Sequence, residues 1–316
     1  MNYVDDSEVT INYGLLTADE DDVEGFTEME TLDSEAAAAF AKEVNVGQNI
    51  DIASDGDVYN ILLIGSDTRN GWYGNSDSMI LASINSQTKT IYMTSFMRDL
   101  YANIPNVGIR KLNSAYAVGG GPLLVSTVEI NYRVDIDNYA SVDFSSMASI
   151  IDMVGGVDLE VSTQEAGYIN MYLDEQCRLQ GLNASDYYVA GGGIAHLNGN
   201  HAVGFARIRY TSRGNEHSDY GRTSRQREIL VQLMQKARSL DATTLLAVVN
   251  NMLPLITRNI DAATLTTLIA NAPSYINYDN QTDRIPYDGL DSNLGEELVP
   301  DFEATINRLH QTIYGN

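Results

Sequence analysis

The sequence predicts an α/β fold, because segments with the pattern of strands alternate with segments with the pattern of helices. Tyr59–Ile64 is a short apolar run followed by Gly-Ser-Asp, which is typical of a buried strand that ends in a polar loop. Thr223–Leu240 carries apolar residues on one helical face and predicts an amphipathic helix. With 316 residues, of which 44% are hydrophobic, the chain is long enough to bury a large core.

The other predicted elements follow the same two periodicities. Predicted strands are Ser78–Ile84, Thr90–Phe96, Tyr139–Val142, Val157–Val161 and Phe205–Arg209. Predicted helices are Ser34–Val44 with Ser34 as its cap, Leu123–Asn131, and Phe144–Val154, with two or three shorter helices between residue 240 and Tyr314. Residues 162–195 are expected to consist mainly of loops.

Charge is distributed unevenly along the chain. The net charge is −24, and residues 1–57 hold 16 acids against one base, Lys42. We therefore interpret residues 1–57 as an acidic accessory segment and residues 58–316 as the main domain. This balance argues against nucleic-acid binding, which normally needs a basic face. The sign reverses between Arg207 and Arg227, where six arginines face two acids. A bound anion and internal ion pairing are both possible reasons.

Two further observations limit the class of protein. The single cysteine, Cys177, excludes an internal disulfide and a cysteine zinc site, and we expect a buried or inert thiol. No apolar run reaches the length of about 18 residues that a transmembrane helix requires.

Acidic residues stand at the predicted ends of neighbouring strands. Asp67 follows the first strand and Asp77 precedes the second, so both are expected at one edge of the sheet. Two carboxylates there suit Mg²⁺, although a turn aspartate and a cap aspartate would give the same pattern. Arg98 and Asp99 follow the third strand, where they could bind a phosphate or form a surface ion pair. Lys111 lies soon after and is a further candidate pyrophosphate ligand.

The arginine-rich segment gives the strongest signal in the sequence. If residues 205–209 form a strand, Arg207 and Arg209 project to the same side. If Ser218 or Asp219 caps the next helix, Arg222 and Arg225 share a face of its first turns, where amide dipoles also attract anions. This arrangement suits a pyrophosphate, and a solvated arginine-rich helix face is the alternative.

These motifs occur in the order found in the LytR–CpsA–Psr (LCP) family, which the chain resembles over about residues 58–240. The matching segments are Asn60–Arg69, Ser76–Met79, Ser95–Leu100, Lys111–Tyr116, Val142–Phe144, Val154–Val157, Leu197–Ala202, Arg207–Arg209 and Asp219–Gln226. The resemblance implies an α-β-α sandwich with a central mixed sheet and a channel for a polyprenyl chain.

The resemblance also implies an activity and a set of site residues. The expected reaction transfers a cell-wall glycopolymer, such as a teichoic acid or capsular polysaccharide, from an undecaprenyl pyrophosphate carrier to peptidoglycan. Pyrophosphatase activity is a possible accompaniment. The acids matched to Mg²⁺ are Asp67 and Asp77; the arginines matched to pyrophosphate are Arg69, Arg98, Arg207, Arg209, Arg222 and Arg225; the polar residues beside them are Asp219 and Gln226. We expect Asp99 or another of these acids to take the proton of the acceptor hydroxyl.

Two other functions fit the same residues. A secreted polyprenyl-pyrophosphate hydrolase would use water as the acceptor, and a non-catalytic protein would only bind the lipid-linked glycan. The net charge argues against a transcriptional regulator. By resemblance, we expect an extracytoplasmic protein that is anchored to the membrane through a segment outside this sequence.

Overall fold

The structure, a computed structural model, describes residues 3–12, 32–67, 74–180, 183–214, 218–294 and 297–315. The helices in these ranges are α1 (Ser34–Gly47), α2 (Asn113–Tyr132), α3 (Phe144–Met153), α4 (Thr163–Gln180), α5 (Gly199–Ala206), α6 (Ser218–Arg238), α7 (Ala242–Met252), α8 (Ala262–Tyr275) and α9 (Phe302–Tyr314). The strands are β1 (Val58–Ser66), β2 (Ser76–Asn85), β3 (Thr90–Phe96), β4 (Tyr101–Ile104), β5 (Gly108–Lys111), β6 (Asn138–Asp143), β7 (Val157–Val161), β8 (Gly193–Leu197), β9 (Thr257–Arg258), β10 (Asp279–Ile285), β11 (Asp291–Leu294) and β12 (Glu297–Pro300).

The chain divides into two compact units. The sheet unit comprises the described residues up to Asp143, together with Thr257–Leu265 and the described residues from Tyr278 onward. The helix-rich unit comprises Phe144–Ile256 and Thr266–Asn277, without its undescribed positions. The division into these two units falls at other residues and does not test the predicted boundary after residue 57, which therefore stays a prediction.

A mixed sheet is the centre of the sheet unit, which confirms the predicted fold class. Its strand order among the described residues is β10-β3-β2-β1-β6-β9. β1 runs antiparallel to β2 and parallel to β6, and β10 runs parallel to β3. Every second residue of β1, from Val58 to Ser66, is buried, as expected for a strand whose two faces meet different surroundings.

Helices α1, α2 and α9 pack together in the sheet unit, and α2 and α9 contact the sheet. Phe40 of α1 is fully buried against Phe302, with 5.6 Å between ring centroids in an edge-to-face arrangement. The predicted helix Ser34–Val44 is therefore present and contributes to the core, although Asp33 caps it rather than Ser34.

The other face of β1 is apolar but incompletely covered. Tyr59, Ile61 and Leu63 alternate with the buried residues and are only half-buried. Their antiparallel partners on β2 are Ile84, Ala82 and Ile80. This face therefore retains accessible apolar surface within an ordered sheet.

The helix-rich unit encloses its own core, which includes Val161, Ile169, Leu197, Phe205 and Ile229. Two sequence predictions fail here. Residues 162–195 were expected to be mainly loops, but α4 occupies Thr163–Gln180 because its buried apolar residues recur at helical spacing. The predicted strand Phe205–Arg209 is wrong, because α5 runs through Phe205 and ends at Ala206.

The remaining elements of this unit agree with the sequence pattern. The predicted helix Phe144–Val154 and strand Val157–Val161 are present as α3 and β7. The predicted helix Thr223–Leu240 is present as α6, which begins five residues earlier at Ser218. Cys177 is buried and forms no disulfide. In the described part of the chain, each helix is too short or too polar to span a membrane.

Gly199 allows α5 to approach α3 closely. A Cβ built at Gly199 would lie 2.0 Å from the backbone oxygen of Ala148. We expect Gly199→Ala to lower the free energy of unfolding by about 1–3 kcal/mol, since backbone must move to relieve the overlap. Gly167→Ala on α4 is the control, because its Cβ would meet no atom within 4 Å. Urea unfolding followed by circular dichroism measures both, and equal effects would contradict the packing described here.

Candidate functional site

The carboxyl ends of four strands share one edge of the central sheet. β1 and β6 are parallel, β3 and β10 are parallel, and β2 is antiparallel to both β1 and β3, so β1, β3, β6 and β10 all point the same way. In open α/β sheets, ligands commonly bind outside the carboxyl ends of strands. We call this the sheet edge.

The two acids predicted to hold Mg²⁺ both lie at the sheet edge. Asp67 follows β1 directly, and its backbone N–H donates to the Asn75 oxygen at 3.4 Å. Asp77 lies where the register between β1 and β2 shifts, since Gly65 pairs with Ser78 but Ser66 pairs with Ser76. A bulge of this kind re-aims side chains near the end of a ladder. The structure therefore brings Asp67 and Asp77 to adjacent strand ends, as the sequence predicted.

Arg98 lies between two carboxylates. Its Nη1 is 3.1 Å from Oδ1 of Asp77, and its Nε is 3.4 Å from Oδ2 of Asp99. All three side chains keep between 21% and 33% of their surface exposed. These charges are therefore held in position by one another while remaining accessible to a ligand.

Backbone hydrogen bonds fix the turn that carries Arg98. The Met97 N–H donates to Ile285 at the end of β10, and the Asn113 N–H donates to the Arg98 oxygen at 3.2 Å. Lys111, another predicted pyrophosphate ligand, ends β5 opposite Tyr101. The structure thus places Lys111 two residues before the N–H that holds the Arg98 turn.

Sequence reasoning omitted one carboxylate from the list of site residues. Asp143 ends β6 and pairs in register with Ser66, immediately before Asp67. The sequence pattern that could have identified Asp143 is an acid directly after the predicted strand Tyr139–Val142. Asp67 holds the same position after β1. Arg69 lies outside the described residues, so the structure does not place it.

In the helix-rich unit, Arg207 is held between two aromatic rings. It caps the carboxyl end of α5, and its Cζ lies 4.8 Å from the ring centroids of both Phe144 and Tyr172. Such stacking orients a planar guanidinium without consuming its hydrogen bonds. The prediction that Arg207 and Arg209 project to the same side of a strand is wrong, because these residues do not form a strand. Arg207 is nevertheless half-buried and oriented.

Asp219 joins Arg209 and Arg222 into one cluster. Its Oδ1 is 3.5 Å from Nε of Arg209 and 3.3 Å from Nε of Arg222. α6 begins at Ser218 and has Asp219 in its first turn, so both residues predicted as its cap lie inside the helix. Arg222 is only 2% exposed, whereas Arg209 keeps 35% exposure. Gln226 follows Arg222 by one helical turn and is half-buried.

The prediction that Arg225 contacts the pyrophosphate disagrees with the structure. Arg225 is fully buried, and its Nε donates to Oε1 of Glu165 at 2.9 Å. Its two terminal nitrogens donate to the backbone oxygens of Ile208, Thr211 and Ser212. The guanidinium is therefore engaged inside the protein, where it fixes the segment that carries Arg209.

The electrostatics of Glu165 follow from its partners. Burial raises the pKa of its carboxyl group, but hydrogen bonds from Ser162 and Arg225 and the nearby charge of Arg213 outweigh burial and leave the pKa below its ordinary value. The carboxylate is thus ionised and paired inside the helix-rich unit, where a lone charge would be strongly unfavourable.

We expect Glu165→Gln to lower the free energy of unfolding at neutral pH by about 3–5 kcal/mol, because it leaves Arg225 as an unpaired buried charge. Since the folded pKa of Glu165 is depressed, its contribution is complete above the ordinary glutamate value and is lost as pH falls through the folded value. The stability difference between wild type and variant should therefore shrink in acid. Glu175→Gln, at an exposed position of α4, is the control. A difference that stays constant with pH, measured by denaturant unfolding, would contradict the pairing.

The donor set at the sheet edge is compatible with Mg²⁺ bound partly by a substrate. Among the residues that the structure describes, no three His, Cys, Asp or Glu side chains group closely enough to hold a metal ion. Mg²⁺ is commonly held by one or two carboxylates, with phosphate oxygens and waters as its other ligands. Asp67 and Asp77 match that smaller set.

Known proteins resemble this chain over most of its length. The transferase TagU of Oceanobacillus iheyensis, a polyisoprenyl-teichoic acid–peptidoglycan teichoic acid transferase, is 31% identical over 288 residues, which are 87% of this chain and 79% of TagU. Biofilm regulatory protein A of Streptococcus mutans is 29% identical over 215 residues, 64% of this chain. The match spans about half of that relative, 50% of its length.

The fold is also that of a solved structure. YwtF (TagT) of Bacillus subtilis, a LytR-CPS2A-psr family protein determined with bound octaprenyl pyrophosphate lipid, superimposes with a TM-score of 0.59 at 22% identity, covering 86% of this chain and 96% of that one. At this identity the likeness establishes the fold. A family model, the LytR_cpsA_psr family, matches residues 25–301. The chain therefore belongs to the LytR_cpsA_psr family, as its motifs indicated.

Proposed function

We propose that this protein is a phosphotransferase that moves a cell-wall glycopolymer from a polyprenyl pyrophosphate carrier to peptidoglycan. Similarity to TagU over 87% of the chain supports this reaction. The structural observation that carries the proposal is the cluster of Arg209, Asp219 and Arg222. Two guanidiniums around one carboxylate leave an excess positive charge in a protein whose net charge is −24. Arginine is well suited to a phosphate because its planar fork donates two parallel hydrogen bonds.

The charge at the sheet edge supports a metal ion. The carboxylates considered there are Asp67, Asp77, Asp99 and Asp143, against the cations Arg98 and Lys111. Four negative charges and two positive charges would repel a pyrophosphate. A divalent cation on Asp67 and Asp77 would cancel that excess negative charge and would also neutralise charge on the phosphate oxygens during transfer.

The reaction itself requires few protein groups. The oxygen of an acceptor hydroxyl attacks the phosphorus that bears the glycopolymer; a new O–P bond forms, and the bond from this phosphorus to the bridging oxygen breaks. Polyprenyl phosphate leaves with that oxygen. We assign the hydroxyl proton to Asp99, which has the most exposed carboxylate around Arg98. Arg98, which lies beside Asp99, stabilises the developing negative charge.

The apolar face of β1 offers a surface for the carrier. Tyr59, Ile61 and Leu63 are half-buried on one side of the strand that leads to Asp67. A polyprenyl chain would bury this surface and gain roughly 25 cal/mol for each Å² removed from water. Because peptidoglycan lies outside the cytoplasm, transfer to it implies an extracytoplasmic protein.

We expect Arg222→Ala to reduce kcat/KM about ten- to a hundredfold, because a charge-assisted hydrogen bond contributes about 1.5–3 kcal/mol. The measurement uses a polyprenyl pyrophosphate-linked glycan with and without peptidoglycan fragments. Glycan attached to the fragments indicates transfer, and release that needs no fragments indicates hydrolysis instead.

Two matched variants make the Arg222 result specific. Arg308 also pairs with an aspartate, Asp283 at 3.1 Å, but belongs to α9, so Arg308→Ala should retain activity. Arg222→Lys keeps the charge without the planar fork and should recover part of the rate. Thermal unfolding confirms that each variant is folded. Wild-type turnover by a folded Arg222→Ala protein would refute the assignment.

We expect Asp77→Asn to raise the Mg²⁺ concentration required for half-maximal turnover, since it removes one of two carboxylates offered to the ion. Calorimetric titration of Mg²⁺ in the presence of a non-hydrolysable prenyl pyrophosphate gives a readout independent of turnover. The control is Asp288→Asn, because Asp288 is 91% exposed and pairs with Arg284. Full wild-type activity in a chelator would show that no divalent metal is needed.

A further inference from the structure

Exposed Tyr210 and half-buried Tyr168 form an aromatic pair, and Tyr210 is the residue that follows Arg209 in the chain. Tyr210 is 77% exposed. Its ring lies 6.0 Å from the ring of Tyr168 on α4, at an interplanar angle of 36°. We call these two rings the tyrosine pair. Single exposed apolar residues are ordinary, but two neighbouring rings offer a larger aromatic surface than either ring alone.

The backbone that carries Tyr210 is unusually well fixed for an exposed segment. Buried Arg225 donates to the oxygens of Ile208, Thr211 and Ser212, on both sides of Tyr210. The Thr211 hydroxyl also donates to Oε1 of Gln164 at 3.0 Å. The exposed ring is therefore presented on a positioned backbone, which reduces the entropy lost when a ligand binds.

The polar groups beside the tyrosine pair suit a saccharide. Gln164 precedes Tyr168 by one turn of α4, so its amide lies on the same helix face, and Thr211 brings a hydroxyl to that amide. A pyranose ring has an apolar face of C–H groups, which packs on aromatic rings, and an edge of hydroxyls, which exchange hydrogen bonds with amides. The tyrosine pair and Gln164 present both kinds of contact.

The position along the chain fits a sugar next to a phosphate. Arg209 belongs to the cluster with Asp219 and Arg222, and Tyr210 is the next residue. One turn beyond Tyr168 on α4, Tyr172 stacks on Arg207. Tyr168 and Tyr172 are four residues apart on α4, so the contacts of Tyr210 and Arg207 with them lie on one face of that helix.

We propose that Tyr168, Tyr210 and Gln164 form a saccharide subsite that binds a pyranose ring. The class of saccharide rests on the proposed function, in which either the donor glycopolymer or the peptidoglycan acceptor supplies the ring. The same chemistry would recognise both, and the experiment separates them.

Binding is measured for two probes on the full chain. Chitotetraose represents the acceptor glycan, and N-acetylglucosaminyl geranylgeranyl pyrophosphate represents the donor. Tyr210→Ala and Tyr168→Ala are each expected to weaken at least one probe about tenfold, as loss of an aromatic contact implies. Tyr210→Phe keeps the ring and should retain binding. Any change in affinity for sugar-free geranylgeranyl pyrophosphate should be smaller than the change for the sugar-bearing probe.

Tyr187→Ala is the matched control, because Tyr187 is an exposed tyrosine of the same unit, at 46% exposure. Unchanged affinity of Tyr210→Ala for both probes would overturn the proposal, as would an equal loss in Tyr187→Ala. Conversion of a dimer to a monomer by Tyr210→Ala, seen by sedimentation, would assign the surface to a second copy of the chain and also overturn it.

The two proposals can fail separately. If folded Arg222→Ala transfers glycan normally while Tyr210→Ala still weakens saccharide binding, the proposed function fails and the subsite stands. If Arg222→Ala loses transfer while Tyr210→Ala binds both probes as wild type does, the subsite fails and the proposed function stands.

Discussion

A buried ion pair between Arg225 and Glu165 organises the region on which the proposed chemistry depends. Glu165 belongs to the first turn of α4, and Arg225 belongs to α6. A buried charge must be paired and hydrogen-bonded. Each hydrogen bond that the Arg225 guanidinium donates therefore holds another part of the chain in place. The segment between α5 and α6 has no regular secondary structure at Ile208–Thr211, and these bonds replace the hydrogen bonds that a helix or sheet would supply.

The arginines of this protein consequently have different tasks. Arg225 stabilises the fold, Arg207 is oriented by aromatic rings, and Arg209 and Arg222 share a carboxylate. Arg98 lies between two acids at the sheet edge. Identical residue types in one sequence motif therefore differ in burial and partners, and only some are available to a ligand.

Local patterns in the sequence predicted the elements whose side chains alternate clearly. β1, β2, β3, β6 and β7 have strand periodicity, and α6 has a clear apolar face, so each was found close to its observed bounds. α4 was missed because polar residues dominate its sequence, although Ala166, Ile169 and Leu173 are buried at helical spacing. In Phe205–Arg209, alternation between apolar residues and arginines imitated a strand, whereas tertiary packing selected a helix that ends at Ala206.

The site was predictable where it depended on neighbouring strands and not where it depended on distant partners. Asp67 and Asp77 follow from the order of β1 and β2 alone. The burial of Arg225 depends on Glu165, which is 60 residues away in the chain, and no local pattern connects them. Asp143 reaches the sheet edge only because β6 pairs with β1, a long-range choice that the sequence left open.

The shared carboxylate of Asp219 has a consequence for turnover. Arg209 and Arg222 already have an anionic partner, so in the proposed reaction a phosphate would bind there by displacing or sharing the interactions with Asp219. The net gain in free energy is smaller than it would be for two solvated guanidiniums. Asp219 would therefore limit how tightly a phosphate is held, and in the proposed reaction that limit would favour the release of polyprenyl phosphate once the glycopolymer has been transferred.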